Sequence, residues 1–194
     1  LLVSGYPTKD SRIMFHRKIR DRVKTLAPFL NFDEDPYIVL ADGKLYWIVD
    51  AYTTSDYYPY SELFGGTEQT RYEQIGRTRT AYSQIGTDFC RINYIRNSVK
   101  VVVNAFDGDV DMYVFEPNDP IINVWQDIFP DLFKPSEEMP DSLHKHIRYP
   151  SDMLLTQGMV YAKYHMTDVT VFYNQEDLWV RATEKYYGNV QPVT

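Results

Sequence analysis

Two Asp-Gly dipeptides, each set between short apolar runs, constrain this chain more than any other feature. Residues 37–40 and 45–51 flank Asp42-Gly43, and residues 99–106 and 110–115 flank Asp107-Gly108. A tight primed turn needs positive φ at its central residues, which Asp and above all Gly tolerate. Each cluster therefore predicts a β-hairpin, and two hairpins of one design predict a shared mixed or antiparallel sheet.

Helical periodicity surrounds that sheet. From Ser11 the apolar residues Phe15, Ile19, Val23 and Leu26 fall on one helix face, with Asp10 or Ser11 as N-cap and Pro28 as the stop. The other face carries Arg12, Arg17, Lys18, Arg20, Arg22 and Lys24, either a solvated face or a strip lying on anionic lipid. Asp119-Pro120 opens a second helix bearing Ile121, Ile122, Trp125 and Ile128, and Pro130 closes it. After an acidic linker from Ser136, residues 141–148 predict a short helix. Ser151 caps a longer one with Leu155, Met159, Ala162 and Met166 in register. Residues 168–180 point two ways: Val169, Thr170, Val171, Phe172 and Tyr173 favour a strand, whereas Asp168 resembles a helix cap. Residues 61–90 hold a near-repeat, Tyr72-Glu-Gln-Ile-Gly76 against Tyr82-Ser-Gln-Ile-Gly86, and lack a sustained apolar face. Residues 66–90 are accordingly expected to form a mobile loop. The whole predicts one α+β domain over residues 1–194, its sheet packed with several helices.

Charge and composition narrow the function. The 194 residues carry a net charge of −7, which disfavours nucleic acid as a partner. Cys90 is the one cysteine, so no disulfide, Cys-rich zinc cluster or redox pair forms within the chain, and a small buried hydrophobe is the expected role. No apolar run approaches the ~18 residues of a spanning helix. The chain opens Leu1-Leu2-Val3-Ser4 without an initiator Met or a signal core, and is expected to be an excised fragment.

No motif assigns a reaction. Asp107, Asp109 and Asp111 start like a calcium loop, but Met112 and Asn118 stand where an EF-hand needs Gly and Glu. His144 and His146 sit about 200° apart on a helix and cannot share a metal; His16 and His165 have no near partner in sequence. Gly65-Gly66 lacks the Lys-Ser or Lys-Thr of a phosphate loop, and neither Ser4 nor Ser61 lies in an esterase elbow. No cofactor, metal or catalytic residue is expected, and a non-enzymatic role is favoured. The densest cluster of Tyr and carboxylate runs from Asp50 to Glu62. Tyr faces stack on sugars and Asp accepts their hydroxyls, so Tyr52, Asp56, Tyr57, Tyr58 and Tyr60 are candidate ligand residues of a polysaccharide-binding strip, or the strip supplies a carboxylate pair for glycoside hydrolysis. An ordered loop whose rings cover the sheet is the plainer reading. Arg96 and Asn97 join the candidates, or anchor the entrance to the second hairpin.

Three stretches carry a resemblance: Arg20-Asp-Arg-Val-Lys-Thr-Leu-Ala-Pro-Phe29, Trp47-Ile-Val-Asp-Ala-Tyr-Thr-Thr54 with Tyr58-Pro-Tyr-Ser61, and Ile92-Asn-Tyr-Ile-Arg-Asn-Ser-Val-Lys100. They resemble the large prokaryotic membrane proteins of uncharacterised protein family 0182. His146-Ile-Arg-Tyr-Pro150, Tyr161-Ala-Lys-Tyr-His165 and Phe172-Tyr-Asn-Gln-Glu-Asp-Leu-Trp179 are similar to its later blocks, so the likeness spans most of residues 11–65 and 91–180. The resemblance implies a bundle of transmembrane helices followed by a large extracytoplasmic portion in the cell membrane, of which this chain is a segment. The implied partners are the membrane-spanning portion of the same protein and, beyond it, an envelope saccharide or another envelope protein. The resemblance transfers no activity and no catalytic residue. It also implies a mainly helical ending over 168–180.

Overall fold

The first Asp-Gly pair behaves as its neighbours demand. In this computed structural model Asp42 and Gly43 take φ of 48° and 74° and join two antiparallel strands, with Ala41 opposite Lys44 and Tyr37 opposite Ile48. The structure describes residues 8, 9, 11, 14–64, 68–74, 77–83, 89, 91–179, 183–186 and 189–192, and gives the strands at 68–74, 77–83, 183–186 and 189–192 as backbone. Contacts divide the chain into two compact units, Leu1–Thr54 with Ile95–Ile147, and Ser55–Tyr94 with Arg148–Thr194.

The first unit is built on a six-stranded mixed sheet. Helix α1 (Ile19–Leu26) precedes β1 (Asn31–Phe32), β2 (Tyr37–Ala41) and β3 (Lys44–Ser55). Both β1 and β2 pair antiparallel with β3, and β3 pairs on with β6 (Tyr94–Asn104). Antiparallel to β6 runs β7 (Val110–Val114), with Val99 opposite Val114; helix α2 (Pro120–Ile128) then crosses to β8 (Phe133–Pro135), which lies parallel to β7. A parallel neighbour requires such a crossover, which makes the sheet mixed. Asp119 caps α2 by accepting from the Ile121 N–H at 3.1 Å, and Pro120 occupies its first position.

Two predicted details change. The second Asp-Gly pair does not form a tight two-residue turn. Asn104 accepts the Gly108 N–H at 2.9 Å, closing a wider loop in which Gly108, of the two, takes positive φ, 76°. The first helix starts at Ile19, not near Ser11: His16 takes φ 51°, Lys18 offers no capping side chain, and Phe15 lies exposed. Arg22 fixes the approach instead. Its guanidinium donates to the Gly108 carbonyl at 2.8 Å and the Phe15 carbonyl at 2.7 Å.

Strand alternation sorts side chains to the two faces of the sheet. Val49, Ala51, Val99, Val101, Val103, Met112 and Val114 pack with Val23 of α1, Ala27 just after it and Ile122 of α2. On the other face Ile48, Val102 and Tyr113 pack with Val39, Ala41, Met139 and Leu143. Leu143 belongs to the short helix α3 (Asp141–His144). Burying a side chain of this kind contributes about 1.5–3 kcal/mol, so the valine-rich β6, covered on both faces, is the mainstay of this unit.

In the second unit β4 (Glu68–Gln74) and β5 (Arg77–Ser83) pair antiparallel, Glu68 opposite Ser83 and Gln74 opposite Arg77. The described backbone within the expected loop is therefore a ladder; the remainder of 66–90, Cys90 included, lies outside the described residues save Phe89, which is buried. Helix α4 (Ser151–Tyr164) is capped by Pro150 without a side-chain bond, not by Ser151. It half-buries the expected Leu155, Met159 and Ala162, and fully buries Asp152, Met153 and Thr156. At 168–180 the cap outweighs strand propensity. The Asp168 carboxylate accepts the Thr170 and Val171 N–H groups at 2.8 and 3.1 Å and starts α5 (Val169–Asn174), which Gln175 ends at φ 53°. A backbone hairpin of β9 (Thr183–Tyr186) and β10 (Asn189–Pro192) follows.

Candidate functional site

Three arrangements in the described residues bring side chains together in ways that bear on function. The first is buried and polar. Lys100 and Asp50 form an ion pair with both side chains at most 5% exposed, and the Asn97 amide donates to the same carboxylate at 3.2 Å. Burial pushes the Asp50 carboxyl above its ordinary value, while the Lys100 ammonium and the Asn97 amide pull it back and Asp33 adds to the rise. Beside it the Tyr52 hydroxyl donates to Asp33 at 2.5 Å. Asp119 uses its second oxygen to accept from Ser98 at 2.6 Å and from Thr53, and Thr53 and Ser98 are themselves 2.9 Å apart. Asn97 and Lys100 have opposite parity along β6, yet both reach Asp50, so the strand departs from strict alternation between them. Apart from the Asn97 Oδ1, which is buried with no partner among the described residues, these groups satisfy one another away from solvent, which suits a role in fixing the fold.

The second is the tyrosine strip, which the structure separates. Tyr52 is 0% exposed, inside the first unit, because β3 runs on to Ser55 and turns it inward. Asp56, Tyr57, Tyr58 and Tyr60 lie exposed in the second unit. There Asn93 clamps the loop: its carbonyl accepts the Tyr58 N–H at 2.9 Å, and its amide donates to the Tyr58 carbonyl at 2.7 Å and the Ser61 carbonyl at 3.3 Å. The Tyr58 ring lies 5.9 Å from that of Tyr94, the planes 21° apart. Tyr60 takes φ 58°. Arg96 is exposed and Asn97 is committed to Asp50. Glu62 accepts from Lys163 at 3.1 Å and Tyr164 at 2.9 Å, contacts that hold its carboxyl below the ordinary value. With Asp50 paired to Lys100 and Glu62 to Lys163, the strip supplies no two free carboxylates for glycoside hydrolysis. Asn93 was legible as the polar residue in Ile92-Asn93-Tyr94, but its partner lies 35 residues away.

The third is apolar, and periodicity alone did not reveal it. Leu26 ends α1 and Ile128 ends α2, and with Phe129, Pro130, Asp131 and Leu132 they line an open groove of about 440 Å³. Phe129 also belongs to an aromatic stack with Phe29 and Trp125; the Phe29 centroid is 4.0 Å from Trp125 and 5.5 Å from Phe129, its ring nearly parallel to both. Leu26, Ile128 and Phe129 stay exposed although each continues an apolar helix face. Among the described residues no three His, Cys, Asp or Glu side chains converge as a metal site, and no helix is long and apolar enough to cross a membrane. The Asp107 carboxylate is turned inward on its own loop, accepting from Asn104 at 3.1 Å and from the Asp109 N–H at 3.1 Å.

Comparison with known proteins agrees with the sequence blocks. A protein from Sulfurovum sp. (strain NBC37-1) is 51% identical over 187 residues, covering 96% of this chain and 18% of its own length. One from Pelotomaculum thermopropionicum is 45% identical over 193 residues, 100% of this chain and 18% of its own. One from Methanospirillum hungatei is 46% identical over 186 residues, 96% of this chain and 19% of its own. All three are named UPF0182 protein, and this chain spans less than a fifth of their length. No solved structure matches. The sequence model of one family matches residues 1–193, running through the 66–90 stretch that carried no resemblance by eye. The chain belongs to the Uncharacterised protein family (UPF0182).

Proposed function

We propose that this segment is a non-enzymatic interaction or scaffold domain on the extracytoplasmic side of a cell-membrane protein, docking onto other parts of the same polypeptide. One observation carries the interaction role. The polar groups that converge in the first unit are buried and mutually bonded, whereas the groove at Leu26, Ile128 and Phe129 presents apolar surface to solvent. Apolar patches of this kind mark contact surfaces. The family resemblance is what supports the extracytoplasmic placement.

One experiment on the full-length protein, carried in a background without other reactive cysteines, tests both parts. Ile128→Cys in the groove and Asp109→Cys in the exposed loop are labelled in intact cells with a membrane-impermeant maleimide. The expected result is rapid labelling at position 109 and slow labelling at 128. Equal rates at both sites overturn the docking role, and labelling at 109 that needs permeabilised cells overturns the placement.

A second reading has its own observation. Asn93 holds the Tyr58 loop in place and leaves Tyr57, Tyr58 and Tyr60 exposed, a platform suited to an envelope saccharide. Replacing those three tyrosines with alanine abolishes retention on peptidoglycan or envelope polysaccharide if this is so; unchanged retention rejects the platform.

A further inference from the structure

Natural sheets blunt their edges with charge, proline or a bulge, because a free edge invites another strand. Within strand β2 none of these devices occurs, and the proline and charges stand outside it, at Asp35, Pro36 and Asp42. Its five residues, Tyr-Ile-Val-Leu-Ala, hold no charge and no proline, and among the described residues it pairs with β3 alone. In a two-residue hairpin the closing pair exchanges hydrogen bonds and every second pair follows. Ala41, Val39 and Tyr37 therefore bond to β3, and the N–H and C=O groups of Ile38 and Leu40 point outward. Among the described residues those groups have no backbone partner. The flanking surface is apolar as well. Ile38 is 50% exposed, Leu40 63% and Leu45, directly opposite Leu40, 40%. Val39 and Ala41 are covered by Met139 and Leu143, so one face of the strand is finished and the other is bare.

On the interaction reading given above, we propose that β2 accepts an added β-strand from the part of the same polypeptide outside residues 1–194: an extended, apolar segment flanked by basic residues. Three observations select this occupant. The curated relatives are more than five times the length that this chain covers, so candidate strands are tethered to the edge at high effective concentration. Acidic residues flank the strand on both sides, Glu34 and Asp35 before it and Asp42 after it, where Ser142 donates to Asp42 and Lys44 lies across the turn. Edge-to-edge pairing with a second copy sets acid beside acid in either orientation, Asp35 near Asp42 if antiparallel and Asp42 near Asp42 if parallel, a destabilising arrangement. A strand with Lys or Arg at its ends meets complementary charge, its backbone bonds Ile38 and Leu40, and its apolar side chains cover Ile38, Leu40 and Leu45.

Residue-resolved amide hydrogen exchange on the full-length protein tests this. Ile38 and Leu40 are expected to be protected about as strongly as Val39 and Ala41, on the order of a hundredfold over the Asp107 loop amides. Leu40→Lys should remove the protection at Ile38 and leave that at Val39. Fast exchange at Ile38 and Leu40 beside a protected Val39 overturns the added strand. Protection that disappears on dilution of the protein overturns the intramolecular occupant in favour of a second copy. Failure here leaves the labelling contrast at Ile128 intact, whereas equal labelling there sinks the wider docking role on its own.

Discussion

Replacing Asp119 with alanine removes two things at once, and the structure allows them to be separated. One carboxylate oxygen caps α2 through the Ile121 N–H; losing such a cap costs about 1 kcal/mol. The other accepts from Thr53 and Ser98, both buried. Without it one hydroxyl can still donate to the other across their 2.9 Å contact, and the second is left with no acceptor, at about 1–3 kcal/mol. The expected total is about 2–4 kcal/mol, or a fall of roughly 5–15 °C in Tm for a chain of this size. Urea unfolding followed by tryptophan fluorescence suits the measurement, since Trp47 and Trp125 both pack against the affected core. In a Thr53→Val, Ser98→Ala background the same substitution should cost about 1 kcal/mol or less, because only the cap remains to be lost. Equal costs in the two backgrounds would refute the shared-acceptor account, and a cost near zero in the parent would refute the cap as well.

Lys100→Met leaves the Asp50 charge buried and uncompensated, for an expected loss of about 3–5 kcal/mol, whereas Asp50→Leu with Lys100→Met should recover most of it; urea unfolding of the three variants decides. Because burial raises the folded-state value of Asp50 above its unfolded one, its contribution to stability is present below the unfolded value near 3.9 and declines as pH rises through the folded one. Denaturant midpoints between pH 3 and 8 should show this decline, and Asp50→Asn should flatten it. Gly108→Ala should cost more than Gly43→Ala: both strain a positive φ, by about 1–2 kcal/mol, but a Cβ at Gly108 lies 2.9 Å from the Arg22 guanidinium, whereas at Gly43 it meets open space. Asp168→Ala should lower stability by about 1 kcal/mol and fray α5, seen as faster amide exchange at Thr170 and Val171.

What could be read from the chain were features whose physics is local. Asp42-Gly43 carried its own turn, Asp119-Pro120 its own helix start, and Asp168 a cap that proved stronger than the β-branched residues after it. The start of α1 was not of this kind. Phe15 keeps the helical spacing but lies exposed, and Arg22 spends its donors on Phe15 and the distant Gly108. Tyr52 looked like part of a surface strip because its neighbours Tyr57, Tyr58 and Tyr60 are polar-tipped and close in sequence; only the length of β3 and the partner Asp33 turn it inward. The β4–β5 pair was hidden by polar residues that carry β propensity in Thr and Tyr without apolar alternation. The groove and the bare β2 edge were the least legible, since exposure of a leucine depends on what fails to cover it.

The central pairing of the sheet also bears on how the protein folds. Strands β3 and β6 are neighbours, yet residues 56–93 lie between them in the chain. Joining them closes a loop of about forty residues, at roughly 3 kcal/mol of chain entropy. The pairing of β6 with β7 and the crossover through α2 to β8 close far shorter loops, so they are placed to form early, with the β2–β3 hairpin joining afterwards. Doubling the intervening stretch adds only about 0.6 kcal/mol. Extra length inserted between β3 and β6 thus weakens their pairing little at equilibrium, with the rate of folding bearing most of the change.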